Sequence, residues 1–151
     1  MKVSDILRIK GSTIYSAQPG QALFEAVRLM SDRDIGSLVV LDQEKLVGML
    51  TFREVIQVVV RDGGSLGQAT VASAMVLDPM VCSPDTDLDE VRRMMLERHA
   101  RYMPVMQDGQ ILGVISFYDV AKTVVDSQHF ENKMLKAYIR DWPEGQAPAA
   151  S

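Results

Sequence analysis

The chain contains one internal duplication with a spacing of 65 residues, and this repeat limits the folds that it can adopt. Over positions 19–60, 12 of 42 residues are identical to the residue found 65 positions later, without a gap, whereas about 3 identities would be expected by chance from ordinary residue usage. Pro19 thus matches Pro84, and Gly48 matches Gly113. The period exceeds the roughly 20–50 residues of solenoids and propellers, and a unit of about 60 residues is only marginally stable alone. We therefore expect two similar halves that pack against each other around a pseudo-two-fold axis.

Both halves show the same order of predicted elements. In the first half, a short strand precedes an amphipathic helix whose apolar residues recur at helical spacing from Leu23 to Met30. Two apolar strands joined by a polar turn follow, and then a second helix. The predicted strands lie at 14–17, 37–41 and 46–50 in the first half and at 81–84, 102–106 and 111–115 in the second. This order predicts an α/β (α+β) fold with a small three-stranded sheet and two helices per half, plus a C-terminal helix.

Glycine-rich and small-residue segments suggest where the chain divides. Gly63, Gly64 and Gly67 mark a linker, and the last residues are small, polar or helix-breaking, so we expect a disordered tail. The resulting division is a first repeat (1–62), a linker (63–72), a second repeat (73–127), a C-terminal helix (128–142) and the tail (143–151).

The predicted C-terminal helix carries an apolar face made by Phe130, Met134, Ala137, Tyr138 and Trp142. Three aromatic side chains on one short helix favour burial. The face either packs on its own module or forms a contact in a homodimer, and the sequence leaves both open.

The cysteine, histidine and charge content narrows the classes of function. Cys82 is the only cysteine, which excludes an intramolecular disulfide and a cysteine-rich zinc site. His99 and His129 are the only histidines, so we expect neither a metal site nor an enzyme. The 20 acidic and 16 basic residues give a net charge of −4, which argues against a nucleic-acid partner.

The apolar runs and the N-terminal residues bear on targeting. No apolar run approaches the roughly 20 residues that span a membrane. The N-terminal residues lack the basic and then apolar pattern of a secretory signal. We therefore expect a cytoplasmic protein without a membrane association.

One constellation occurs twice: a glycine-led apolar strand, a hydroxyl residue, two further residues and a carboxylate. The copies run from Gly48 to Glu54, with Thr51 as the hydroxyl, and from Gly113 to Asp119, with Ser116. Taken alone, the spacing is most simply a capping box at the start of a helix. A helix N-terminus also favours anions such as phosphate, and the carboxylate could accept hydrogen bonds from a vicinal diol such as ribose. Both interpretations remain open on the residues alone.

In this arrangement the chain resembles a tandem pair of CBS (cystathionine-beta-synthase) domains, which together form a Bateman module. In the first copy the resemblance rests on 13–19, 29–42 and 46–51. In the second copy it rests on 81–86, 101–105 and 111–120. It covers residues from about 3 to 126. No single motif is strong, but two copies in register are specific.

The resemblance implies an adenosine ligand in the cleft between the halves: AMP, ADP, ATP, NAD(H) or S-adenosylmethionine. Carried over to this sequence, it implies that Asp119 holds the ribose hydroxyls, that Ser116 contacts the ligand through its hydroxyl, and that Arg101 contacts a phosphate. Thr13, Gln18 and Ile35 would form the adenine wall, and the remaining ligand-binding residues on this side would be Met103 and Ile115.

The equivalent site of the first half departs from the family pattern. Glu54 has one more methylene than the expected aspartate, and Gly36 occupies the position that matches Arg101. A longer carboxylate side chain displaces the two oxygens by more than a hydrogen bond tolerates. We expect this second site, with Thr51 and Glu54, to bind weakly or not at all.

The leading hypothesis is a regulatory sensor of an adenosine nucleotide that signals to an unidentified regulated protein by conformational change, without catalysis and requiring no cofactor. The resemblance also implies a homodimer. The alternative is a ligand-free structural module that serves dimerisation and protein interaction.

Overall fold

Three elements of the first half recur 65 residues later with the same bounds, and the helix that follows them begins 65 residues apart in the two halves. The structure is a computed structural model and describes residues 1–140. Its first half contains α1 (Val3–Lys10), β1 (Ser16–Ala17), α2 (Leu23–Arg33), β2 (Ser37–Asp42), β3 (Lys45–Thr51) and α3 (Phe52–Arg61). Its second half contains α4 (Val71–Ala74), β4 (Val76–Leu77), α5 (Leu88–Arg98), β5 (Tyr102–Gln107), β6 (Gln110–Ser116) and α6 (Phe117–Arg140). The predicted α/β class and the duplication are confirmed.

The number of strands per sheet differs from the predicted three. In the first half β1 lies parallel to β2, β2 pairs antiparallel with β3, and β4 adds a fourth strand beside β3. In the second half β5 and β6 form a two-stranded sheet, and the predicted short strand at 81–84 is reduced to one parallel bridge between Cys82 and Val105.

Proline explains the shortened strand of the second half. In the first half, Val39 N–H donates to the Tyr15 carbonyl at 3.3 Å and extends the pairing of β1 with β2. The residue 65 positions after Val39 is Pro104, which has no N–H to donate. Pro104 can still accept, and its carbonyl receives the Cys82 N–H at 3.1 Å. A bridge therefore remains where the first half forms a strand.

Each half buries a separate hydrophobic core, and the two short helices α1 and α4 exchange places between them. Val3 and Ile6 of α1 are buried with Leu88 and Val91 in the core of the second half. Val71 of α4 is buried in the core of the first half. The N-terminal helix, which the sequence division assigns to the first repeat, thus completes the second repeat. Part of the predicted linker likewise completes the first.

Glycine is required where these exchanged helices approach the sheets. A Cβ added at Gly48 would lie 2.7 Å from Met75 Sδ and 2.8 Å from the Val76 carbonyl oxygen. A Cβ at Gly113 would lie 2.9 Å from Leu7 Cδ2. The glycine that leads each copy of the repeated motif therefore leaves room for the exchanged helix or for the residues directly after it.

The last helix is longer than predicted. α6 runs without interruption from Phe117 to Arg140, so the helix predicted over 128–142 is the continuation of the second helix of the repeat. Met134, from its predicted apolar face, is 58% exposed. The side chains of Phe130 and Tyr138, and all of Trp142, lie outside the described residues. No helix within residues 1–140 is both long and apolar enough to cross a membrane.

Candidate functional site

A cavity of about 750 Å³ lies between the two halves. It is bounded by the end of α1, the chain between α1 and β1, the starts of β2 and β5, the end of β6 and the first turns of α6. The lining residues are Lys10, Gly11, Thr13, Tyr15, Ile35, Gly36, Ser37, Arg101, Tyr102, Val114, Ser116, Phe117, Tyr118 and Ala121. Both halves supply the walls, so a ligand held there would contact both.

Asp119 lies in the first turn of α6, and its carboxylate has two donors at the edge of this cavity. Its Oδ2 accepts the Ser116 N–H at 2.8 Å and the ammonium of Lys10 at 2.7 Å. Burial raises the pKa of Asp119, but the hydrogen bonds from Lys10 and Ser116 and the Lys10 charge outweigh burial, so the pKa is lowered overall. The carboxylate is therefore ionised at neutral pH. The bonds from the Lys10 ammonium and the Ser116 N–H both fall on Oδ2, which leaves Oδ1 as the oxygen better placed to accept from a ligand.

The Ser116 hydroxyl closes the capping box of α6 from the other side. Its Oγ accepts the Asp119 N–H at 3.1 Å, as the spacing in the sequence predicts. The Ser116 side chain also contributes a hydrogen bond that lowers the pKa of the Asp119 carboxyl. Ser116 also lines the cavity, so the residue that caps α6 lies within reach of a ligand.

The equivalent hydroxyl in the first half is fully used. Thr51 Oγ1 accepts the Arg53 N–H at 3.2 Å and donates to Glu54 Oε1 at 2.9 Å. The same Oε1 also accepts the Thr51 N–H at 2.8 Å. Glu54 is only 5% exposed, so both groups serve as a buried helix cap.

Aromatic side chains make up much of the cavity wall. Tyr15, Tyr102, Phe117 and Tyr118 all line it. The Arg33 guanidinium lies 5.6 Å from the centre of the Tyr15 ring, which is within cation–π distance. Flat apolar faces beside a carboxylate and a hydroxyl suit a ligand that joins a planar base to a polyhydroxylated sugar.

At Gly36 the first half lies in close contact with aromatic side chains, one of them Tyr102 of the second half. A Cβ there would overlap the Tyr102 hydroxyl and lie 2.9 Å from its Cζ and 3.2 Å from Phe52 Cε2. The position that matches Arg101 in the first half is therefore covered by an aromatic ring of the second half. No side chain fits there without moving Tyr102.

The predicted ligand residues divide into four groups by position. Thr13, Ile35, Arg101 and Ser116 line the cavity. Asp119 is not among the lining residues, but its carboxylate forms an ion pair with the lining residue Lys10. Thr51 and Glu54 do not line it, and they form the helix cap described above.

Met103, Ile115 and Gln18 lie elsewhere. Met103 pairs with Ile115 across the β5–β6 ladder, and both are fully buried in the second core, because alternate residues of a strand point to opposite faces of the sheet. Their neighbours Tyr102 and Ser116 face the cavity instead. Gln18 lines a separate surface depression with Pro19 and Asp42, beyond the far end of β1. The cavity thus excludes all three.

Sequence reasoning missed Lys10 and the aromatic residues of the wall. Lys10 ends an N-terminal helix that was not predicted, and it meets Asp119 across 109 positions of the sequence. Tyr102 and Tyr118 could have been found, because both adjoin predicted site residues at the ends of elements. Nothing in the local sequence pattern singles out Lys10.

Comparison with known proteins agrees with this arrangement. The sequence model of the CBS domain matches residues 3–61 and 71–126. The solved structure of a protein with CBS domains from Burkholderia ambifaria has a TM-score of 0.79 and 30% identity, over 85% of this chain and 96% of that one.

Two further solved structures contain adenosine compounds and share the fold at lower identity. The CBS domain pair of protein MJ0100, in complex with 5-methylthioadenosine and S-adenosyl-L-methionine, has a TM-score of 0.74 and 20% identity over 84% of this chain and 98% of that one. CBSX2, a CBS-pair protein from Arabidopsis thaliana, was solved in complex with AMP. It has a TM-score of 0.69 and 21% identity over 84% of this chain and 98% of that one.

Proposed function

The chain belongs to the CBS-domain family, and from this premise we propose that it is a regulatory module that binds an adenosine nucleotide in the cavity between its two repeats. The observation that carries the proposal is one group of residues. The Ser116 hydroxyl, Arg101 and, at the edge, the ionised Asp119 carboxylate lie together at a cavity walled by aromatic rings.

Each part of the ligand has a matching group. Asp119 Oδ1 accepts from the ribose hydroxyls, the Ser116 hydroxyl donates to the ribose or the phosphate, and Arg101 binds the phosphate as a charged donor. The adenine lies against the wall that contains Thr13 and Ile35. AMP, ADP, ATP and NAD(H) contain all of these parts. The adenosine compounds bound by MJ0100 and CBSX2 support the ligand class.

Signalling follows from the position of the cavity rather than from any reaction. Thr13 and Ile35 come from the first half, and Arg101 and Ser116 from the second. A ligand that contacts both halves stabilises the relative orientation in which both sets of contacts form. A protein that recognises this orientation responds to the ligand concentration, and the proposal contains no catalytic step.

The Thr51–Glu54 site of the first half is proposed to stay weak or unoccupied. Its hydroxyl proton and its buried carboxylate already bond to each other, and Tyr102 covers Gly36. A ligand would have to open the cap of α3 to reach them.

A second candidate function, assembly without a ligand, is favoured by one surface. Phe52, Ile56 and Val60 follow one another at intervals of four residues on α3 and are 52%, 61% and 75% exposed. An exposed apolar stripe of this kind is suited to packing against a second copy of the chain. A homodimer is compatible with both functions, so ligand binding separates them.

A thermal-shift panel with AMP, ADP, ATP, NADH and S-adenosylmethionine tests the proposal. A ligand at 100 times its Kd stabilises the folded state by about 2.7 kcal/mol, which raises the Tm by several degrees. Asp119→Ala should remove most of the shift, whereas Glu54→Gln, its counterpart in the first half, should retain it. The absence of a shift with every compound would favour the assembly function.

A further inference from the structure

We propose that Lys10 is a specificity-determining residue of the cavity, which selects phosphate-bearing ligands over adenosine compounds without a net negative charge. When the ligand binds, the Lys10 ammonium exchanges the Asp119 carboxylate for the phosphate. This inference rests on the proposed function, since it names the ligand class of the same cavity.

The position of Lys10 is set by the fold. It is the last residue of α1, whose Val3 and Ile6 are anchored in the second core. The helix ends at Gly11, which has a φ of +89°. The Lys10 ammonium donates to Asp119 Oδ2 at 2.7 Å and to the Val114 carbonyl at 3.0 Å. An ammonium has three protons, so one is left to donate to a ligand.

The charges around the cavity favour an anion. Among the residues that line it, Lys10 and Arg101 carry positive charge, and none is a carboxylate. The carboxylate of Asp119, at the edge, balances one of these two charges. The cavity therefore has one positive charge in excess. A phosphate gains from this excess, whereas a sulfonium such as that of S-adenosylmethionine is repelled.

Competition for Asp119 strengthens the selection. A ribose diol that donates two hydrogen bonds to the Asp119 carboxylate can place one on Oδ1, and the other then competes with Lys10 for Oδ2. Because the side chain of Lys10 is only 42% exposed, an ammonium that loses its carboxylate partner there is incompletely rehydrated. A phosphate within reach replaces the lost partner. A nucleoside without phosphate offers Lys10 no replacement partner, so the displacement of Lys10 weakens its binding.

Isothermal titration calorimetry with four probes tests the inference: AMP, adenosine, ribose 5-phosphate and S-adenosylmethionine. The variant is Lys10→Met, which keeps most of the side-chain length and removes the charge. The matched control is Lys45→Met, which makes the same change of charge at the exposed first residue of β3. Lys10→Arg, which keeps the charge, serves as the rescue variant, and circular dichroism checks the folding of each.

The wild type should bind AMP at least tenfold more tightly than adenosine or S-adenosylmethionine. Lys10→Met should weaken AMP binding about tenfold, the loss typical of a hydrogen bond to a charged group. It should change adenosine binding less than threefold, while Lys10→Arg and Lys45→Met retain the preference of the wild type.

The other outcomes separate the two proposals. If AMP binds and Lys10→Met leaves its affinity unchanged, or weakens AMP and adenosine equally, the role of Lys10 is overturned and the proposed function stands. If adenosine and AMP fail to bind but ribose 5-phosphate binds in a Lys10-dependent way, the adenosine ligand is overturned and the anion selection stands. If no phosphate compound binds the wild type, both are overturned.

Discussion

The Nζ atom of Lys10 lies 2.7 Å from Oδ2 of Asp119, so one ion pair joins the last residue of α1 to the first turn of α6. The two side chains are 42% and 20% exposed. The contact therefore joins the N-terminal helix to the helix that carries the proposed ribose-binding carboxylate. Its strength is measurable without any ligand.

A double-mutant cycle with Lys10→Met and Asp119→Asn should give a coupling energy of about 0.5–1 kcal/mol at pH 7, the range of partly exposed ion pairs. Urea unfolding of the four proteins measures it. Because the pKa of Asp119 is lowered in the folded state, the contribution is present above the unfolded value of about 3.9. It is lost as the pH falls through the folded value. A coupling that persists unchanged at pH 2 would contradict the assignment. The exposed Arg8–Asp5 pair is the control and should show less coupling.

Gly36→Ala should disturb the cavity more than the fold. The new Cβ overlaps the Tyr102 hydroxyl, and the end of a tyrosine side chain can rotate away, so we expect a loss of about 1–2 kcal/mol in the free energy of unfolding. The displaced ring should also lower the affinity for whichever nucleotide binds the wild type. Gly20→Ala, which meets no atom within 4 Å, is the control.

Combining Gly36→Ala with Tyr102→Ala tests the cause. If the overlap with the ring is responsible, the double variant loses less stability than the sum of the two single changes. Additive losses would show that Gly36 is needed for another reason.

The two motif glycines should differ in their tolerance of alanine. At Gly48 the added Cβ meets the carbonyl oxygen of Val76 at 2.8 Å, which belongs to the paired strand β4 and cannot move alone. At Gly113 it meets only the side-chain end of Leu7 at 2.9 Å. We expect Gly48→Ala to lower the free energy of unfolding by about 2–3 kcal/mol and Gly113→Ala by about 1 kcal/mol. Equal losses in urea unfolding would refute the difference.

The thiol of Cys82 should be unreactive in the folded protein. Burial raises its pKa to about 12, and the side chain is only 7% exposed. At pH 8 we expect a disulfide reagent such as DTNB to label it slowly, since the thiolate is the reacting form. In urea the pKa returns to about 8.5 and labelling should be rapid. Rapid stoichiometric labelling of the folded protein would contradict this burial.

The sequence carries the repeated local structure because the forces that specify it act over a few residues. Apolar spacing places α2 and α5, and Thr51 and Ser116 each precede a carboxylate by three residues, which closes a cap within one turn. These features were predicted from single-sequence patterns. The expectation that one cavity contains Thr13, Ile35, Arg101 and Ser116 depends in addition on the family resemblance.

Only the tertiary structure decides which half each exchanged helix completes and what Asp119 contacts. Val3 and Ile6 bury against α5, about 85 positions along the chain, and this packing brings Lys10 to a carboxylate 109 positions away. Strand alternation then turns Met103 and Ile115 into the core and leaves Tyr102 and Ser116 at the cavity. Hydrophobic burial is non-directional and does not depend on separation in the sequence. No local pattern therefore predicts a contact at that distance. The duplication determines that there are two equivalent carboxylates, and the long-range packing of α1 decides which of them meets a lysine.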